Sequence, residues 1–267
     1  MAADLSFDLF WSFRSPYSYL ATPRLKKIVE DHNVTVNVRP VYPIAVRIPG
    51  FFKTVNPQWP PYLLMDTARI AEMEELPYAW PRPDPIVMDI ASGEVPEDQP
   101  YIQRLTRLGV AATEAGHGIE FLNEVSGIIF GGVQGWNEGD HLEKAADRAG
   151  LDLAELDTRI EADPDHFEQV IEDNEAAQKA SGHWGVPLMV FKGEPFFGQD
   201  RIDMLVWPPA TIFSSSAAAS PVPASPVTRR CAGCPSPSSR RRTFPPPQVP
   251  AHPSWSMAVC ATSPISN

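Results

Sequence analysis

With 267 residues and a net charge of −11, the chain is acidic and long enough for one large domain or two small ones. The charge is unevenly spread: residues 208–267 hold five arginines and no Asp, Glu or Lys, so residues 1–207 alone carry −16. That acidity excludes a nucleic-acid binder, which neutralises phosphates with Lys and Arg, and no run of about 18 apolar residues is present to cross a membrane.

Residues 1–10 have neither a basic stretch nor an extended apolar one, so no secretory signal is read and a cytoplasmic protein is expected. Residues 5–11 predict a short, aromatic-rich first strand. From Pro16 onward Tyr19, Leu20, Leu25, Ile28 and Val29 recur at helical spacing, which predicts a helix to about His32. Residues 34–38 alternate strictly and mark a half-buried second strand that reaches about Tyr42. Strand, helix and strand in succession form a βαβ unit with a right-handed crossover.

Residues 43–60, punctuated by Pro43, Pro49, Pro57 and Pro60, read as irregular. Helices follow over 62–75, 98–115 and 119–130, with a break at 77–85. Asn137 is read as the cap of a helix over 138–149 that ends at Gly150. Asp152, with Glu155 three residues on, forms a capping box, and Asp163-Pro164 opens a last helix to about Ser181. These five or six consecutive helices predict an inserted helical subdomain over about 61–182. Strand character returns at 188–191 and 195–197 around a turn, and a helix begins at Asp200 and continues to Val206. The order β-α-β, helices, β-β-α is the thioredoxin-like plan, an α/β fold with a large all-helical insertion, placed within residues 1–207.

Residues 208–267 form a separate segment. Ser and Pro fill 25 of its 60 positions, with Arg229-Arg230 and Arg240-Arg241-Arg242 among them. It has too few hydrophobic residues to bury a core, so a disordered low-complexity tail is expected, with a basic anchoring segment as the functional alternative. All three cysteines lie in this segment. Cys231-Ala232-Gly233-Cys234 lacks the preceding strand and following helix that a redox Cys-x-x-Cys needs. The absence of cysteine from residues 1–207 excludes a structural disulfide or a thiolate–metal site there.

Three places carry chemistry. The first is Ser15-Pro16-Tyr17-Ser18, at the head of the first helix. A thiol redox protein carries Cys-x-x-Cys at that place, and serine oxygens cannot cycle through a disulfide. What remains is a hydroxyl at a helix N-terminus, where free N–H groups and the helix dipole favour an anion such as a bound thiolate. A plain N-cap is the equal alternative for Ser15. The second place is Gly185-Val186-Pro187, where Pro187 is either an ordinary trans loop proline or a cis proline facing the first helix. The third is Gly198-Gln199-Asp200-Arg201. There Asp200 either satisfies the helix dipole or holds a ligand ammonium while free N–H groups take the ligand carboxylate.

Together with Ser15-Pro-Tyr-Ser-Tyr-Leu-Ala21, these segments resemble the 2-hydroxychromene-2-carboxylate isomerases, in the kappa-class glutathione transferase branch of the DsbA-like thioredoxin proteins. The resemblance spans about residues 5–207, with Tyr62, Asp66 and Arg69 at the family's spacing in the insertion. It implies glutathione as cofactor, with Ser15 donating a hydrogen bond to its sulfur and favouring the thiolate. It also implies that Val186, ahead of a cis Pro187, pairs its backbone with the cysteinyl unit. Gln199 and Asp200 would hold the γ-glutamyl end, and Asn56 would match a family asparagine at the glutathione site. The implied substrate is a small aromatic-degradation product, 2-hydroxychromene-2-carboxylate interconverting with trans-o-hydroxybenzylidenepyruvate by nucleophilic catalysis. A homodimer is the expected assembly.

Three residues depart from the family pattern: Ser12 stands for an Asp, Arg14 occupies a usually apolar position, and Trp59 replaces a lysine. They mark a divergent subgroup whose substrate can differ. Two rival readings remain, a kappa-like glutathione transferase using the same residues and a non-catalytic thioredoxin-fold binding module. His183 lies near the second motif, with packing against Trp184 as the favoured role; His32, His117, His141 and His166 read as structural, and no pair has zinc-ligand spacing. Trp59, Tyr62, Trp80 and Trp136 read as aromatic core rather than as a substrate pocket.

Overall fold

The computed structural model describes residues 5–32, 34–89 and 93–206. The tail reading therefore lies outside the described residues. Four strands form one sheet in the order β2-β1-β3-β4, from β1 (Ser6–Trp11), β2 (Thr35–Pro40), β3 (Leu188–Phe191) and β4 (Glu194–Phe197). β1 runs parallel to β2, with Ser6 opposite Thr35, and antiparallel to β3, with Leu9 opposite Met189. Leu9, Phe10 and Trp11 of this inner strand are buried to within 1%. Such a strand reads as a continuous apolar run instead of an alternating one.

The parallel pair is joined by α1 (Pro16–His32), which has Pro at its first position, where the missing N–H costs nothing. The helix is locked to β1 by its own polar groups: Trp11 Nε1 donates to Thr22 Oγ1 at 2.9 Å, and that hydroxyl donates to the Ser18 carbonyl at 2.7 Å.

Among the described residues, α2 (Ile44–Arg47), α3 (Phe51–Thr54) and six longer helices lie between β2 and β3. These are α4 (Trp59–Met73), α5 (Pro100–Glu114), α6 (Gly118–Phe130), α7 (His141–Arg148), α8 (Leu153–Ala162) and α9 (Pro164–Ala180). Two caps match their sequence signatures. Asp152 accepts from the N–H groups of Ala154 and Glu155, and Asp163 accepts from His166. After β4 a 3₁₀ turn over Gln199–Arg201 leads into α10 (Ile202–Val206).

Several boundaries differ from expectation. Residues 43–60 hold two short helices and the start of α4, because Pro60 and Pro61 sit in its first turn, where proline is tolerated. Asn137 is not the cap of α7. Gly139 adopts φ +57, outside the right-handed helical region, so the helix waits until His141, after Asp140. β2 stops at Pro40, two residues short of Tyr42, and Glu194 belongs to β4.

Trp11, Phe13 and Phe121 pack edge to face, with centroids 4.7 and 6.1 Å apart, and join the sheet to α6. α5 comes equally close because Gly109 has no side chain: a Cβ there would lie 2.9 Å from Phe13 Cε2 and 3.3 Å from Pro40 Cγ. The four aromatic residues taken together as core separate. Trp136 is buried and donates Nε1–H to the Pro83 carbonyl at 2.8 Å, whereas Trp59 and Tyr62 are exposed and Trp80 is half-buried.

Candidate functional site

The site is assembled where the end of β1 meets the start of β3. The chain leaves β1 through a tight turn closed by Ser15 N–H donating to the Ser12 carbonyl at 3.1 Å. Ser15 then caps α1: its Oγ accepts from the Ser18 N–H at 3.2 Å. The same Oγ donates to the Val186 carbonyl at 3.4 Å, a long bond that spans 171 residues of sequence. The capping and facing roles thus coexist. The hydroxyls of Ser12 and Ser18 are buried beside it without a partner among the described residues.

Val186 precedes a cis peptide bond to Pro187, and its own N–H makes no hydrogen bond among the described residues. Pro187 donates nothing, but its carbonyl accepts from Gly198 N–H at 3.0 Å, which ties the third motif behind the second. Gln199 is turned toward α1: Arg24 Nη1 donates to both its main-chain oxygen and its Oε1 at 3.2 Å. Asp200 is exposed and accepts from the neighbouring Arg201 at 2.6 Å. Asn56 is exposed, and its Oδ1 accepts from the Gln58 N–H at 3.0 Å in an Asx turn. Ser15, Val186 and Pro187 are brought together, Gln199 and Asp200 follow the Gly198 bond to Pro187, and among the described residues Asn56 makes no hydrogen bond to any of them.

Other residues at the site were not legible locally. Arg14 donates Nε–H and Nη2–H to the two carboxylate oxygens of Asp84, both at 3.0 Å. Its guanidinium also lies 5.4 Å from the Phe52 ring centre and 5.5 Å from that of Trp80. Tyr17 donates its hydroxyl to Asp66 at 2.8 Å. Burial, and then that bond, push the Tyr17 phenol well above its ordinary pKa. The signal available for this pair is the family spacing of Asp66; for Asp84 no signal was present.

His183 packs, as its surroundings suggested. Its Nδ1 accepts from the Gly185 N–H at 2.9 Å, and its ring stacks on Phe197 at 3.9 Å and on Trp184 at 5.6 Å. Burial holds its pKa below the usual histidine range. Gly185 has no room for a Cβ, which would run into the Phe197 ring. Beyond Trp184 the aromatic contacts continue through Phe51, 6.1 Å away, to Trp59, a further 6.4 Å. A separate cavity of about 500 Å³ opens between α2, α3 and residues 93–97, and none of Ser15, Val186 or Gln199 lines it. Among the described residues no cluster of His, Cys, Asp or Glu could hold a metal ion, and no helix is long and apolar enough to cross a membrane.

A serine-capped first helix facing a cis-proline loop across a β2-β1-β3-β4 sheet agrees with the family comparison: residues 7–207 match the DSBA-like thioredoxin domain. The chain belongs to that family. Among curated proteins, this DSBA-like thioredoxin protein is 25% identical over 214 residues to a 2-hydroxychromene-2-carboxylate isomerase of Pseudomonas putida, covering 74% of this chain and 91% of the relative. The solved structure of a 2-hydroxychromene-2-carboxylate isomerase superposes with a TM-score of 0.55 at 20% identity, covering 75% of this chain and 92% of the other. A probable DsbA oxidoreductase from Streptomyces coelicolor superposes with a TM-score of 0.53 at 18% identity, covering 75% and 86%. Unlike a redox member, this DSBA-like domain has no cysteine in residues 1–207, so those residues cannot exchange disulfides.

Proposed function

We propose that the chain is a glutathione-dependent isomerase acting on a conjugated aromatic-degradation intermediate of the 2-hydroxychromene-2-carboxylate type. The observation that carries this reading is the Ser15 hydroxyl, held at the α1 N-terminus and turned toward Val186. When bound, glutathione supplies a thiolate able to add to a conjugated carbon and leave again, so that a double bond can turn or a ring can open.

The residues present fit such a ligand on three counts. The Val186 N–H is unpaired among the described residues and offers an amide its donor. The Ser15 hydroxyl can rotate its hydrogen away from the Val186 carbonyl, a weak partner at 3.4 Å, toward a sulfur anion. The α1 N-terminus adds the positive end of its dipole. Ser15 would then hold the thiolate, and the backbone of Val186 before Pro187 would fix the cysteinyl unit. Gln199 would contribute its free amide N–H groups, and Asp200 would take the ammonium in exchange for Arg201.

The exposed rings of Trp59 and Trp184, linked by Phe51 and leading into the Val186 loop, suit an aryl substrate. One observation favours a second reading, a non-catalytic binding module: the Asp200 and Gln199 side chains already have partners within the protein. The same residues would also serve a kappa-like transferase that releases the adduct instead of isomerising it.

Calorimetric titration of glutathione into wild type and Ser15→Ala, with the bound thiol titrated by thiolate absorbance, separates the glutathione-dependent readings from the binding module. Binding with a lower thiol pKa in wild type than in the variant supports the thiolate mechanism, and turnover of a 2-hydroxychromene-2-carboxylate without release of a glutathione adduct then supports the isomerase over the transferase. Absence of binding to both proteins leaves the binding module.

A further inference from the structure

The loop from Ser181 to Pro187 must bring the Val186 backbone opposite Ser15, and its position is fixed by two side chains remote from it in sequence. Gln178, in the last turn of α9, is fully buried. Its Nε2 donates to the Gly185 carbonyl at 2.8 Å, and its Oε1 accepts from Arg47 Nη1 at 2.7 Å. The orientation of this amide is unambiguous, because Arg47 can only donate and the carbonyl can only accept. Arg47, at the end of α2, also donates Nη2–H to the Trp184 carbonyl at 3.1 Å. The two carbonyls immediately ahead of Val186 are therefore each held by a side chain, and those side chains hold each other.

A half-buried guanidinium and a buried amide are costly ways to fill space. Burial lowers the Arg47 pKa, and the charge of Glu175, one turn before Gln178, opposes that shift. Glu175 is itself pushed up by burial, and its carboxylate accepts from the Tyr42 N–H at 3.1 Å. An apolar pair would join α2 to α9 equally well but would leave the Trp184 and Gly185 carbonyls unanchored.

We propose that Arg47 and Gln178 are positioning residues that clamp these two carbonyls and so aim the Val186 backbone at Ser15. The consequence for ligand binding rests on the glutathione reading above, whereas the clamp itself does not. A merely structural role for the pair would show as lower overall stability with an unchanged loop.

The test is amide hydrogen exchange of Arg47→Met, Arg47→Lys and Gln178→Glu, alongside glutathione titration of the same proteins. Gln178→Glu keeps the partner of Arg47 but sets a carboxylate oxygen against the Gly185 carbonyl. The expected result is that Arg47→Met and Gln178→Glu speed exchange of the Gly185 N–H by about tenfold, the scale of one lost hydrogen bond. The Met189 amide of β3 keeps its wild-type rate, and Arg47→Lys lies closer to wild type than Arg47→Met. Glutathione affinity falls by a similar factor. If Gly185 exchange is unchanged in Gln178→Glu, or if Met189 accelerates in step with it, the clamp is overturned. Should Arg47→Met fail to fold, Gln178→Glu and Arg47→Lys decide alone. Wild-type protein that binds no glutathione defeats the cofactor reading, while Gly185 exchange still decides the clamp.

Discussion

Arg14 and Asp84, 70 residues apart, meet through two parallel N–H···O bonds of 3.0 Å, so the residue before Ser15 is fastened to the segment after α4. The Arg14 side chain is only 14% exposed and that of Asp84 26%, which places the pair beyond the reach of full solvent screening. A cation at this position suits an anionic ligand, but its Nε–H and one Nη2–H are already directed at a carboxylate.

Removing one partner should therefore cost more than removing both. Asp84→Ala strands the guanidinium and should lower unfolding free energy by about 1.5–3 kcal/mol. The double variant Arg14→Leu/Asp84→Asn, which retains an acceptor for the Ile86 N–H, should stay within about 1 kcal/mol of wild type. Urea unfolding of the three proteins checks this; equal losses in both variants would contradict it.

Ser15→Ala removes a helix cap as well as a hydrogen-bond donor. The cap alone should cost about 0.5–2 kcal/mol of stability. In a glutathione complex the bound thiol pKa should rise by about one unit, equivalent to 1.36 kcal/mol of lost thiolate stabilisation. Thermal unfolding and thiolate absorbance measure the two effects separately, and an unchanged thiol pKa would remove the proposed role of the hydroxyl.

The sheet and the first helix were legible because their signals are local. The alternation over 34–38, the apolar run over 188–191 and the Ser15-Pro16 start each lie within a few residues of the element they specify. The Asp152 and Asp163 caps belong to the same class. The start of α7 was not legible, since nothing in Gly139 itself declares that its φ will be positive. The short α2 and α3 were hidden among prolines that also suit a loop. The surroundings of the site depend on partners far away in sequence: Asp84 for Arg14, Gln178 for Arg47, and Arg24 for Gln199, the last across 175 residues. Periodicity carries no information about such pairs.

Gly109 permits α5 to lie against Phe13 and Pro40, and both neighbours are held by the core and by the end of β2. Gly109→Ala should gain helix propensity yet lose about 1–3 kcal/mol overall through overpacking. Denaturant unfolding provides the number, and a stabilised variant would show that the core yields at Phe13.

His183 carries a pH dependence whose sign follows from its lowered pKa. The unfolded chain binds the proton first as pH falls below about 6.5, so stability is fully present above that value and drains as pH drops toward the folded-state pKa. Protonation would also fill Nδ1, which accepts the Gly185 N–H. His183→Asn should keep the turn, because an Asn oxygen accepts from the N–H two residues on, while removing the titration. Unfolding midpoints measured across that range should fall less for the variant than for wild type, and parallel curves would count against the assignment.

Each outer strand of the sheet carries a proline: Pro40 closes β2, and Pro195 lies within β4 opposite Val190. An open sheet edge is a template onto which another extended chain can hydrogen-bond, and it is a common seed of fibres. Here one edge ends abruptly and the other lacks a donor at its second residue. Growth of the ladder by an added strand is thereby disfavoured on both sides of the four described strands.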